Sequence, residues 1–221
     1  MTITEKGKKR EGRGKGDGVE YKPYIKAREF NSIGTCSNFI DWKNGKQYEF
    51  LSQTELFVFC MLRWDDDVID IKEQYPLENE KVEKILKKLN DMAKERGEAK
   101  IKSPIKGGAP LTTDMLVIYR DGRKKAVSVK YDKTNISNRD VEKLWIEREY
   151  WISQGVEWKL YDQSDVNRNL VNNIMLVTEF YDESRVFDRI SRLKHLIATK
   201  KLVVNMEDQI LDFSKLSSDL E

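Results

Sequence analysis

The chain has 221 residues, 35% of them charged and 39% hydrophobic, with a formal net charge of +2. That length suits one domain with a good core, or one domain plus a small appendage, and the near-neutral charge means that any nucleic-acid surface must come from local patches. No apolar run approaches membrane-spanning length and the N-terminus lacks a signal-peptide core, so a membrane protein is not expected.

In chain order, residues 1–19 carry Lys6, Lys8, Lys9, Arg10, Arg13 and Lys15 among glycines and almost nothing apolar. A flexible basic arm is expected, either lying along phosphates or simply solubilising the chain. Residues 20–50 read as a polar-aromatic entry segment, with Lys43 and Lys46 beside Gly45 as a loop able to touch a phosphate. Cys36 and Cys60 lack the spacing of a metal cluster and are read as reduced thiols. His195 is the only histidine, which excludes a His-based metal site and leaves a helix-surface residue.

Ser52-Gln53-Thr54-Glu55 fits a capping box at the start of a helix over 52–64. The run Leu56–Leu62 is apolar on every face, so this helix is expected to be buried, with Glu55 at its first turn. Glu55 is explained by capping alone, or as a carboxylate held rigidly against the hairpin formed by residues 111–133. Residues 68–77 read as a strand stopped by Pro76, and 78–96 as an amphipathic helix stopped by Gly97.

The stretch Leu111–Lys133 is the organising element. Met115–Tyr119 and Ala126–Val129 are apolar runs joined by a polar turn, a β-hairpin signal, with Asp114 opening the first strand and Lys130 closing the second. A two-residue turn, Asp121-Gly122, would place Asp114 opposite Val129 and point the acid and the base to opposite faces. A three-residue turn, Arg120-Asp121-Gly122, places Tyr119 opposite Arg123 and Asp114 opposite Ser128, with Lys130 one diagonal step away on the same face. Asp-Gly suits either turn; the second gives the charged pair a shared purpose, whereas the bland reading makes both solvated strand-end charges. A helix from about residue 138 to Gln154 follows, on which Glu142, Trp145 and Glu149 share a face, and then a strand over 156–161. Asp165–Thr178 and Ser184–Thr199 read as helices and Lys201–Met206 as a strand.

An acid before a short strand ending in x-x-Lys, with a Glu from a preceding helix, is how metal-dependent phosphodiesterases of the PD-(D/E)xK type are built. Carboxylates hold the ions by oxygen ligation, and the lysine is a point charge for the attacking water or the pentavalent phosphate. Beyond this, the chain resembles the TnsA endonucleases, subunits of heteromeric cut-and-paste transposases. The resemblance rests on Tyr21-Lys22-Pro23-Tyr24-Ile25-Lys26-Ala27-Arg28-Glu29-Phe30, on Ser52-Gln53-Thr54-Glu55, on Asp70 through Leu77, on Thr113-Asp114 and Val129-Lys130, and on Glu142 through Trp151.

The resemblance implies an α/β, restriction-endonuclease-like PD-(D/E)xK core over residues 20–164, a mixed sheet flanked by helices. It also implies a small helical or winged-helix-like partner-docking part over 165–221. It implies Mg²⁺-dependent cleavage of the 5′ strand ends of a transposon (Mn²⁺ able to substitute), in the bacterial cytoplasm, together with the transposase TnsB and the ATPase TnsC. Glu55 and Asp114 then match the metal-binding carboxylates, Lys130 the catalytic lysine, and the carbonyl of Val129 a further metal ligand. Ser128 departs from the acid of the motif, and Glu149 is an auxiliary acid or a helix-surface charge. Two other readings stand beside this one: a self-sufficient restriction- or repair-type nuclease, and a non-catalytic scaffold bridging TnsB and TnsC with Ser128 as a sign of decay.

Overall fold

A computed structural model describes residues 3–26, 29 and 36–219. Its centre is a four-stranded mixed sheet in the order β3-β4-β5-β6, where β3 is Val68–Pro76, β4 Thr112–Tyr119, β5 Lys124–Val129 and β6 Glu157–Tyr161. The first three strands pair antiparallel; β5 and β6 pair parallel. A parallel pair needs a crossover, and here it is α4 (Asn138–Ile152), capped by the Ser137 hydroxyl. Helix α3 (Asn79–Glu95) lies with α4 on one face, where Leu86, Leu89, Leu116, Ala126, Ile146 and Trp151 share a core. This is the expected mixed sheet flanked by helices.

The opposite face is covered by α2 (Gln53–Trp64). The run Leu56–Cys60 is buried on every side, as its unbroken apolarity requires. Two elements meet it there. One is a hairpin, β1 (Ser37–Ile40) and β2 (Gln47–Phe50), within the segment read as a polar-aromatic entry. Phe50 and Tyr48 pack tilted against Phe59, with ring centroids 5.0 and 4.6 Å away. The other is the pair α5 (Arg168–Thr178) and α6 (Arg189–Ala198), whose Val171, Ile174, Val177, Leu193 and Ile197 belong to the same core as Val58, Met115 and Val127. A short α7 (Phe213–Asp219) follows.

Three expectations are corrected. Lys201–Met206 forms no strand; Lys200 instead takes φ +56° after α6 and ties back to the carbonyl of Trp64 (2.6 Å) and to Asp66 (2.9 Å), so the alternation there serves a loop rather than a wing. His195 is buried, with Nδ1 2.9 Å from the Phe180 carbonyl. The N-terminal segment is packed on the sheet rather than free. Helix α1 (Glu5–Arg10) leads to Arg13, which is 5% exposed and bonds Glu29 (2.7 Å), Glu11 (2.9 Å) and the Tyr24 carbonyl (3.2 Å). Gly14 permits this approach, since a Cβ there would stand 2.3 Å from Pro76 Cγ. Composition gave no sign of it because the docking is carried by one buried cation rather than by apolar residues. Arg28 lies outside the described residues.

Candidate active site

The hairpin turn decides the geometry. Tyr119 pairs with Arg123 through a 2.9 Å bond, Gly122 takes φ +85°, and Met115 faces Val127. This is the three-residue turn with a left-handed glycine, and its register brings Asp114 level with Ser128.

Both strands change phase at this row. On β3, Ile71 and Glu73 face the β1–β2 side: the Tyr48 hydroxyl donates to the Ile71 carbonyl (2.9 Å), and Glu73 pairs with buried Lys46 (2.7 Å). Strict alternation would put Tyr75 there too, but it packs on Trp151 of α4. Gln74 lies between, with φ +48°. On β4, Met115 faces α2 while the Thr113 hydroxyl accepts from Trp151 Nε1 at 2.7 Å. Asp114 sits at this crossover. Its Oδ2 accepts from the backbone amide of Val129 at 2.7 Å and its Oδ1 from Gln74 Nε2 at 3.2 Å.

Glu55 reaches the site from the first turn of α2. Its amide is capped by Ser52 Oγ (3.2 Å), its Oε1 accepts from that hydroxyl (3.1 Å) and its Oε2 from the Leu51 amide (3.2 Å). Capping and site placement are thus one arrangement, not alternatives. Burial, and then the neighbouring charge of Asp114, push the Glu55 carboxyl up to about 8 against the Leu51 amide, the Ser52 hydroxyl and the charge of Lys130. Burial also raises Asp114, opposed by the Val129 amide, the charge of Lys130 and Gln74. Lys130, half-buried, donates its amide to the Tyr161 carbonyl (2.9 Å) and lines a cavity of about 280 Å³ with Tyr131 and Asn135. The structure therefore groups Glu55, Asp114, Val129 and Lys130.

Glu149 does not join them: it is half-exposed and bonds Arg148 at 2.9 Å. The acid of α4 that faces the sheet is Glu147, 4% exposed, whose Oε1 accepts from Ser128 Oγ at 2.6 Å, while Trp158 Nε1 donates to that same Oγ at 3.0 Å. Burial, followed by the charge of Asp114, pushes Glu147 up to about 7, against the hydroxyls of Ser128 and Thr113 and the Trp158 indole. The signal was present in the sequence. Glu147 stands three residues after Leu144 and four before Trp151, on the apolar stripe that runs through Tyr150. A carboxylate from α4 thus occupies the neighbourhood in which the motif's strand acid would lie, and Ser128 leaves room for it.

Lys46 is not a phosphate contact. It is buried between Glu73 and the rings of Tyr48 and Tyr21, 4.0 and 5.0 Å away.

The donors are all oxygen, which suits a hard divalent cation. Among the described residues no group of three or more His, Cys, Asp or Glu side chains is placed to hold a metal ion together. An open site with two carboxylates fits Mg²⁺, which keeps several waters and is held by one or two carboxylates plus substrate phosphate. Two buried carboxyl groups, Glu55 and Glu147, beside the half-buried Asp114, all with raised affinity for protons, are also the environment in which a cation relieves mutual repulsion.

Residues 65–163 match the family model described as TnsA-like endonuclease N terminal, a span that holds Asp114, Ser128, Lys130 and Glu147 but begins after Glu55. The chain is also 30% identical over 210 residues to the Transposon Tn7 transposition protein TnsA of Escherichia coli, covering 91% of this chain and 73% of that protein. A likeness over 91% of this chain, on a mixed sheet flanked by helices, assigns the chain to the TnsA-like family of transposition endonucleases, DNA-cleaving subunits of transposases with an α/β restriction-endonuclease-like fold.

Proposed function

We propose that this subunit cuts the 5′ strands at transposon ends in a Mg²⁺-dependent reaction, within a complex that includes a TnsB-type transposase and a TnsC-type ATPase. The observation that carries the reading is the Asp114 carboxylate, held by Val129 N and Gln74 at a crossover of two strands, with Glu55 and Lys130 as its charged neighbours. Glu55, Asp114 and the Val129 carbonyl would hold the cation, with Glu147 behind Ser128 as a further acid. When bound, the cation neutralises the scissile phosphate and lowers the pKa of an attacking water. Lys130 adds a positive point charge beside the same phosphate, orienting the water or stabilising the pentavalent state. The helices after residue 164 are the natural face for a partner, and residues 165–221 are proposed as the docking part.

The test is strand-resolved cleavage of a labelled transposon end with partners and Mg²⁺, comparing the wild type with Asp114→Ala and Lys130→Ala. Loss of the 5′ cuts alone in both variants supports the reading. Unchanged products would make the chain a structural subunit, and cleavage of plain DNA without partners would make it a self-sufficient nuclease.

A further inference from the structure

Gln74 is not used by the site as derived from the motif, yet it is the most constrained residue beside it. It is 2% exposed, and it holds φ +48° inside a strand, a conformation that glycine adopts readily and a long side chain rarely does. Three bonds keep it there. Its carbonyl accepts from the Tyr24 amide at 3.2 Å, its Oε1 accepts from the Thr112 hydroxyl at 3.2 Å, and its Nε2 donates to Asp114 Oδ1 at 3.2 Å. The orientation of the amide follows from chemistry. An ionised carboxylate only accepts, so the NH₂ must face Asp114, and the Thr112 hydroxyl then donates to the oxygen.

We propose that Gln74 is the positioning residue of the Asp114 carboxylate, fixing its plane so that the remaining lone pairs of both oxygens face the open end of the site. The inference rests on the reading of Asp114 as a cation ligand. Two donors act on this carboxylate, one per oxygen: the Val129 amide is part of the strand backbone, and the Gln74 amide reaches across from β3. With the Val129 bond alone, the carboxylate could still swing about that contact. The β3–β4 register, with Glu73 opposite Met115 and Tyr75 opposite Thr113, sets Gln74 directly across from Asp114, within reach of its carboxylate.

The experiment is a calorimetric titration of the full-length chain with Mn²⁺ alone, alongside melting temperatures in EDTA. The variants are Asp114→Asn, Gln74→Met, which keeps the bulk without the donor, and Gln74→Gly, which also relieves the backbone. Loss of a partner of this kind weakens metal binding by about 10–100-fold. Both Gln74 variants should show at least about a tenfold loss. Wild-type affinity in both variants overturns the proposal. So does wild-type affinity in Gln74→Gly alone, because binding would then follow backbone stability rather than the amide. If wild type and Asp114→Asn bind Mn²⁺ alike, the cation reading itself fails and this inference falls with it, an outcome distinct from the other two.

Discussion

Replacing Glu147 by Gln separates the stability of this site from its chemistry. In the folded chain the Glu147 carboxyl titrates at about 7 instead of the ordinary 4.5, because it is buried and faces the charge of Asp114. A raised folded-state pKa means that between pH 4.5 and 7 the folded chain holds a proton that the unfolded chain has released. The stabilisation is complete below pH 4.5 and is lost as pH rises through 7. The displacement corresponds to about 3 kcal/mol, an upper bound because the glutamine amide must find an acceptor among Ser128 Oγ and Thr113 Oγ1. In EDTA, Glu147→Gln should match the wild type near pH 5 and exceed it at pH 8.5 by up to about 3 kcal/mol, or about 6–12 °C for a chain of this length. Thermal melts read by circular dichroism at both pH values measure this directly. A variant equally destabilised at both would show that Glu147 is held as a satisfied ion, and the reasoning from burial would be wrong. The same variant should lose strand cleavage, gaining stability while losing function.

Three further outcomes follow from particular contacts. Ser128→Ala removes a donor from Glu147 and an acceptor from Trp158; urea unfolding should show a loss of about 1–3 kcal/mol, and the pH at which stability falls should rise. Arg63→Ala strips the partner from Asp41, bonded at 2.8 Å with both side chains buried, and should destabilise by about 3–5 kcal/mol, whereas surface Arg123→Ala should leave stability unchanged. Arg13→Ala unpins the N-terminal segment from Glu29 and Tyr24; limited trypsinolysis should then cut within residues 6–15 well before the sheet.

Much of the sheet was legible because its signals are local. Ser52 and Glu55 mark the start of α2, Pro76 ends β3, and the apolar runs around Asp121-Gly122 outline the hairpin. Asp114 and Lys130 were legible as a charged pair because strand ends are set by those same signals, while Val129 was reached only through the family resemblance. Glu147 was missed in favour of Glu149, since counting from Trp145 picks the wrong helical stripe; only the α4 residues that meet the sheet reveal the right one. Gln74 carries no local mark at all. A glutamine in a strand pattern reads as ordinary, and its positive φ is imposed by Tyr24, Thr112 and Asp114, all distant in sequence. The β1–β2 hairpin was hidden for a similar reason, because its four-residue strands are held by the aromatic faces of α2 rather than by their own alternation.

The core that α2 shares with α5 and α6 sets a limit on how the molecule can be divided. Trimming the chain after residue 164 would strip Val171, Ile174, Val177, Leu193 and Ile197 from one side of the helix whose first turn bears Glu55. The sheet-bearing part and the C-terminal helices cannot be exchanged like cassettes. A graft of the C-terminal helices onto a relative must bring the matching surface of α2 with it, and calorimetry of the intact chain should show one melting event rather than two.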